Sequence, residues 1–444
     1  MNKKNFSLVL GAIYMCFLIV LFISLPVYVS AESLADLKEI KIGSLWELTG
    51  PAGPAGSVAG YRGQQIAIDM TNERGGILGK YKVKAVVADA QSSPDIGLRE
   101  AERLINIEKV PIIIGLLSSA IATPLAPLCE KNKTVLFVTI AISEYVFKDR
   151  HLRYAFRMHP TAPQSAIGTL DLIHAEYQKF GVKSPKDLKV AIVSEDGPFG
   201  TSCSKSSLGR IKELGLNLVA HEKYASDIQD MSGLITRIKA VEPDAILHMA
   251  YFPDIVLLCR QGRELGLKTK AILGHGAGYS DLPAVAKSVG SKLVEYFFNI
   301  EPPVIQRMDP KRLSPETAKL NAEFLKRVKE KYNDSDPAVH YSTGFSFTWI
   351  VLNHIIPIAI EKYKAVTGDT IRQAFMDLKL PASMHPLGYE TKFAPQDHEM
   401  AGQNILSYPV VTQRIGDSLY TVWPKQARSR DPVIPFPSDS PWAK

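Results

Sequence analysis

From Ile40 onward the chain alternates short, unbroken apolar runs with segments whose apolar residues recur at helical spacing. The runs IKIGSLWEL, KVKAVVA, PIIIG and TVLFVT read as strands. Between them Ala59, Gly63, Ile66, Ala67 and Met70, then Ala101, Leu104 and Ile105, then Ile121–Glu130, mark helices. Strands that are continuous Val/Ile runs, each followed by a helix, predict a parallel sheet covered on both faces. After RYAFRMHP the pattern restarts with KVAIVS, LNLVAHE, AILHM and AILG, again with helical segments between. Two successive α/β units of about 120 to 130 residues result, each a plausible domain in size and with no sequence repeat between them. In such doubly wound units ligands bind at the carboxyl ends of the strands, where strand order reverses. The cleft between the two units is therefore the expected site. Beyond Glu301 come a charged helix (Ala322, Leu325, Val328, Tyr332), an apolar helix near Trp349, strand candidates Ile405–Val411 and Leu419–Trp423, and a Pro/Ser-rich tail.

The 444 residues suit two or three domains. With 46% apolar and 22% charged residues the chain is globular, neither disordered nor fibrous. Lys3 and Lys4 precede the uncharged run Phe6–Val29 and the small-residue site Val29-Ser30-Ala31, which predicts a secretory signal peptide over residues 1–31. A retained membrane anchor is the rival, because the run is long enough to span a bilayer. Of later segments only Phe345–Ile360 approaches that length, and it carries His354 and Pro357. Without Lys3 and Lys4, 50 basic residues face 45 acidic ones. That is too dilute for nucleic acid, and no basic stripe with interleaved aromatics occurs. Cys129, Cys203 and Cys259 are too few and too widely spaced for a disulfide framework or a metal motif, so buried free thiols are expected, with at most one bridge.

Catalytic signatures fail one by one. Gly50, Gly53 and Gly56 have the wrong spacing for a dinucleotide fingerprint, and Pro51 and Pro54 remove N–H donors a phosphate needs. The loop Gly274-His275-Gly276-Ala277-Gly278 has no G-x-S-x-G nucleophile to serve. No zinc-protease motif, phosphate loop or Cys/His cluster appears, so neither an enzyme, a cofactor nor a metal is expected.

The stretch IKIGSLWELTGPAG, then RGQQIAIDMTNERGGILGKYKV, then VPIIIG and LLSS, resembles the periplasmic solute-binding proteins of branched-chain amino acid ABC transporters, the leucine/isoleucine/valine-binding family. SEDGPFG, DAILHM and LCRQGRELGLKTKAILG extend the resemblance. It implies a type I periplasmic binding protein: two doubly wound α/β lobes joined by three crossovers, near Met158–Pro160, Phe298–Ile300 and Gly388–Phe393. Lobe 1 is expected over 32–158 and 300–390, lobe 2 over 159–299 and 391–425, and an irregular tail over 426–444. It also implies a small-molecule ligand, a membrane ABC permease as partner and a periplasmic location.

In that family a ligand carboxylate is held by loops after the third and fourth strands. The matching residues are Ser118, Ser119 and Ala120, and Ala141 and Ser143 with Ile142 between them. Both loops open helices, where free N–H groups and the helix dipole favour an anion; the serines serve equally as helix caps. The resemblance also implies aromatic walls at Phe199 and Tyr251, with His340 and Tyr341 near the apolar end of a ligand. Trp46, ending the first strand, belongs either to the cleft or to the core. The family's acidic partner for a ligand ammonium is missing, since His275 and Gly276 stand there. Either Glu47, Glu144 or Asp196 substitutes, or the ligand is an apolar or aromatic carboxylate instead of an amino acid, because a buried ammonium without a counter-charge is costly. A sensor module of the same fold, and a secreted enzyme using His275, are the other readings.

Overall fold

A computed structural model describes residue 34 and residues 37–444 except 52 and 277, with only the backbone at 54 and 55. The expected signal segment, 1–31, lies outside the described residues. Lys38–Lys444 form one unit. Among the described residues the twelve strands are β1 (Glu39–Trp46), β2 (Lys82–Asp89), β3 (Ile112–Gly115), β4 (Val135–Val138), β5 (Ala155–Arg157), β6 (Lys189–Glu195), β7 (Asn217–Tyr224), β8 (Ala245–Met249), β9 (Ala271–His275), β10 (Phe298–Glu301), β11 (Val410–Ile415) and β12 (Ser418–Trp423). They make a five-stranded sheet in the order β2-β1-β3-β4-β5 and a seven-stranded sheet in the order β12-β11-β10-β9-β8-β6-β7.

All pairings are parallel except β10 with β11 and β11 with β12. The inner strands β3, β4, β8, β9 and β10 are buried along their whole length, because helices cover both faces. The outer strands β2 and β7 keep exposed residues and so read as polar and apolar mixtures. The parallel part of each sheet has the same winding: the strand that begins the unit lies second, and order reverses beside it. The two reversal points are therefore β1/β3 in one lobe and β6/β8 in the other, as a doubly wound fold requires.

The long apolar helix is Val339–Ile350, a π-turn over Val351–Ile355, and Ile356–Tyr363. It is apolar enough to cross a membrane by length and composition, yet 78% of its most apolar stretch is buried inside the molecule. Its first half packs on the helix Val58–Glu73 of the first lobe. Glycines make that contact close: a Cβ on Gly344 would stand 2.0 Å from the Gly60 carbonyl oxygen. The helix Gly368–Asp377 covers the same lobe, with Phe375 stacked on Phe156 at 4.3 Å.

Two local expectations meet a different outcome or more order than anticipated, and a third is met. The strand expected over Ile405–Val411 starts only at Val410, since Pro409 has no N–H for a ladder and Asn404 Oδ1 accepts the Lys392 and Leu406 N–H groups in a turn. The tail is irregular but seated: Trp442 is fully buried and its indole N–H donates to the Leu293 carbonyl at 2.7 Å. Cys129, Cys203 and Cys259 are free and buried.

Gly344→Ala is expected to lower unfolding stability by about 1–3 kcal/mol through overpacking of this helix pair. An unchanged denaturant midpoint would show that the two helices separate without cost.

Candidate functional site

The carboxyl ends of the two sheets face one another across a narrow cleft. Its wall contains Leu117 (after β3), Ile140 and Ile142 (after β4), Phe199 (after β6), Tyr251 (after β8), Gly276 (after β9) and, at the end of β10, Ile300 and Glu301. His159 and Ser165 complete it. The enclosed water-accessible space is about 20 Å³, room for roughly one water. The lobes touch beside it, the Glu144 N–H donating to Ser202 Oγ at 3.0 Å.

The first-lobe wall is built around a carboxylate of its own. Glu47, directly after β1, is fully buried. The N–H groups of Leu117 and Ser118 donate to its two oxygens at 3.1 and 2.8 Å, and Ser57 Oγ donates at 2.8 Å. Part of the anion cradle at the start of the helix Ser119–Lys131 is thus filled by the chain itself. Ser119 is left as the polar group of this loop: its Oγ accepts the Ser143 N–H at 3.3 Å and retains a proton to donate. Ala120 lies one residue into the helix. Ser143 Oγ caps the following turn by accepting the Tyr145 N–H. Beneath this loop the buried Arg157 donates to the carbonyls of Ala141 and Ser143 at 2.8 and 2.9 Å and to Gln403 at 2.6 Å. Burial pushes its guanidinium down to about 9, so a cation sits behind the loop at neutral pH.

The second-lobe wall is aromatic. Glu195 Oε atoms accept the N–H groups of Gly197 and Gly200, folding the turn that presents Phe199. The Phe199 ring lies 5.3 Å from that of Tyr251 and edge-on to His275 at 6.2 Å. Gly276 is required here twice over: its φ is +82°, and a Cβ would stand 2.4 Å from the Phe199 ring. Tyr251 precedes the helix Phe252–Glu264, and Asp254 accepts its N–H at 2.9 Å and the Tyr224 hydroxyl at 3.1 Å. Across the cleft the Tyr251 hydroxyl faces Ser118. His275 Nε2 lies 3.7 Å from Cys203 Sγ, and burial pushes the ring down to about 4, so it is neutral.

Two anticipated residues point elsewhere. Trp46 is fully buried, its indole N–H on Gln64 at 2.8 Å, and supports the cleft from below through Leu117 and Ile140. Tyr341 turns to Arg62, which donates to its hydroxyl at 2.8 Å, and to Tyr332. Of the substitute acids, Glu47 is engaged as described, Glu144 pairs with Lys148 at 3.5 Å, and Asp196 is exposed. The acid that does reach the cleft is Glu301, which the motif reading missed. Burial alone would raise its carboxyl, but His159 and His340 outweigh this and hold it down to about 2. The expected crossovers at Met158–Pro160 and Phe298–Ile300 already flanked His159 and Glu301; inspecting polar residues at those crossovers would have found both.

Residues 39–410 match the periplasmic binding protein family. A leucine/isoleucine/valine-binding protein homologue of Brucella suis is 30% identical over 397 residues, 89% of this chain and 94% of the relative. Among solved structures, an isoleucine complex of the branched-chain amino acid transporter substrate-binding protein of Streptococcus pneumoniae superposes with a TM-score of 0.68 at 18% identity, covering 90% of this chain and all of the other. A benzoate complex of an ABC-transporter solute-binding protein from R. palustris gives a TM-score of 0.68 at 15% identity, covering 86% and 95%. At these identities the structural likeness establishes the shared fold.

Asp254 gives the Tyr251 wall a pH signature. Burial is the main cause that pushes its carboxyl up to about 6, against the bonds from Tyr251 and Tyr224. A raised carboxyl favours the folded state below its unfolded value, and that stability is lost as pH rises through 6, by an amount of about 3 kcal/mol. Asp254→Asn, which keeps an acceptor oxygen, is expected to flatten the pH 4 to 7 stability profile and to gain stability at pH 7. A profile unchanged by the substitution would contradict the assignment.

Proposed function

The chain belongs to the periplasmic binding protein family, and from that premise we propose that it is a non-enzymatic receptor working in the periplasm. It captures a small solute with an apolar or aromatic body and a carboxylate, closes both lobes over it and delivers it to an ABC permease. The observation that carries this reading is the cleft wall: Leu117, Ile140, Ile142, Ile300, Phe199 and Tyr251 line the space, with His159, Ser165 and Glu301 as its polar residues. Burying an apolar body there gains roughly 25 cal/mol per Å² of surface. At the first-lobe end the Ser119 hydroxyl, the loop of Ser143 and the cation of Arg157 behind it favour a carboxylate. Closure between lobes buries the ligand, as in other hinged receptors, and its cost enters the apparent affinity.

One observation favours a second ligand class. Glu301 reaches the cavity, so a branched-chain amino acid has an acid within the cleft to meet its ammonium, as the family's usual ligands require.

Thermal unfolding against aryl carboxylates, short-chain acids, amides and α-amino acids separates the two. A ligand at about a hundred times its Kd adds about 2.7 kcal/mol and raises the midpoint by several degrees. Aryl carboxylates are expected to do so and leucine or valine not; the reverse result assigns the amino-acid class. The double variant Ser119→Ala, Ser143→Ala is expected to weaken binding about tenfold or more while remaining folded. Unchanged affinity removes these serines from the site.

A further inference from the structure

We propose that His159, Glu301 and His340 form a binding site for one divalent transition-metal ion of the zinc class. The three side chains come from distant parts of the sequence: His159 just after β5, Glu301 at the end of β10, and His340 at the start of the apolar helix of the first lobe. Their side chains are 3%, 4% and 0% exposed. One donor atom from each lies within 4.8 Å of the other two.

The two His–Glu distances are compatible with donors gathered around one metal ion. His159 Nε2 stands 3.4 Å from Glu301 Oε2, and His340 Nε2 stands 3.6 Å from Glu301 Oε1. Charge-assisted N–H···O bonds close to about 2.7–2.9 Å, and neither Nε2 has a hydrogen-bond partner. Metal bonds of about 2.0–2.2 Å to imidazole nitrogen and carboxylate oxygen, at tetrahedral angles, separate neighbouring donors by about 3.3–3.6 Å.

The other ring nitrogens are already held. His159 Nδ1 lies 3.0 Å from the Pro160 carbonyl oxygen, which only accepts, so the proton is on Nδ1. With that proton fixed, either a second proton on Nε2 or a metal cation can mediate between Nε2 and the carboxylate. His340 Nδ1 lies 3.4 Å from Ser280 Oγ, a hydroxyl that can donate or accept. A ring nitrogen anchored to an oxygen while its opposite nitrogen faces a shared point is how metal-binding histidines are oriented.

Two imidazoles and one carboxylate suit Zn²⁺, Co²⁺ or Ni²⁺ and not the oxygen-seeking Mg²⁺ or Ca²⁺. Three protein donors leave a position open. His159 and Glu301 also line the cavity beside Phe199 and Tyr251, so the site borders the cleft. The sequence carried no sign of this because no two of the donors are near neighbours in the chain. The inference rests on these side chains and does not depend on the identity of the solute.

The test is titration of chelator-treated protein, without added solute, with Co²⁺ read by visible ligand-field absorption and then displaced by Zn²⁺. One Co²⁺ per chain with bands of a low-symmetry site, displacement by one equivalent of Zn²⁺, and a Zn²⁺-dependent rise in thermal midpoint are expected. Glu301→Gln and His340→Gln are each expected to weaken binding at least about tenfold. The exposed pair His151→Gln, His398→Gln is expected to leave the spectrum intact, which supports the inner site even if a buried variant does not fold. Absence of the bands in the folded protein, loss of them in the exposed-histidine variant, or affinities within twofold of the unmodified chain in folded Glu301→Gln and His340→Gln would overturn the proposal. A solute panel without a hit bears on the receptor reading alone.

Discussion

A carboxylate withdrawn from water must be met by donors or charge, and two such carboxylates organise this molecule. Glu47 is met by backbone N–H groups of Leu117 and Ser118, so the end of β1 is tied to the loop after β3 at the point where strand order reverses. Glu301 is faced by His159 and His340, which gathers the end of β5, the end of β10 and the apolar helix at one place. Leaving either acid uncompensated in a buried site costs several kcal/mol. These contacts therefore tie β1 to the loop after β3 and hold His159 and Glu301 together in the cleft wall.

The geometry around that wall follows from topology. Both sheets are wound in the same order, so both bring their reversal points to the same kind of edge, and the two edges meet. The first lobe contributes polar loops at helix starts, backed by the Arg157 guanidinium. The second contributes rings, with Phe199 held by the Glu195 turn and fitted against Gly276. The cleft wall between them is mostly apolar, with His159, Ser165 and Glu301 as its polar residues. His275, the residue an enzyme reading depended on, is buried beside Cys203 and neutral.

Much of this was legible in the chain. Runs such as PIIIG and AILHM contain no alternation because helices cover both faces, and that property is local enough to read directly. Ser119, Ser143, Phe199 and Tyr251 were singled out by the family resemblance, and they lie in loops that follow strands of this kind. What was illegible depends on convergence. Nothing local in the sequence says that Glu47 folds back onto Ser118, that Tyr341 turns to Arg62 while its neighbour His340 faces Glu301, or that Trp442 in an irregular tail is buried against Leu293. Trp46 shows the limit most plainly: a strand-end position allows cleft or core, and its bond to Gln64 decides for the core.

The central claim is that the space between the two reversal points holds the solute. A crystal structure of the protein with whichever solute binds it in solution tests this most directly. Density is expected between the Ser119 and Ser143 loops on one side and Phe199 and Tyr251 on the other, with the lobes closed around it. Solute seated instead in the outer groove lined by Arg307, Arg312, Tyr408 and Arg428, with the cleft unchanged, would contradict it.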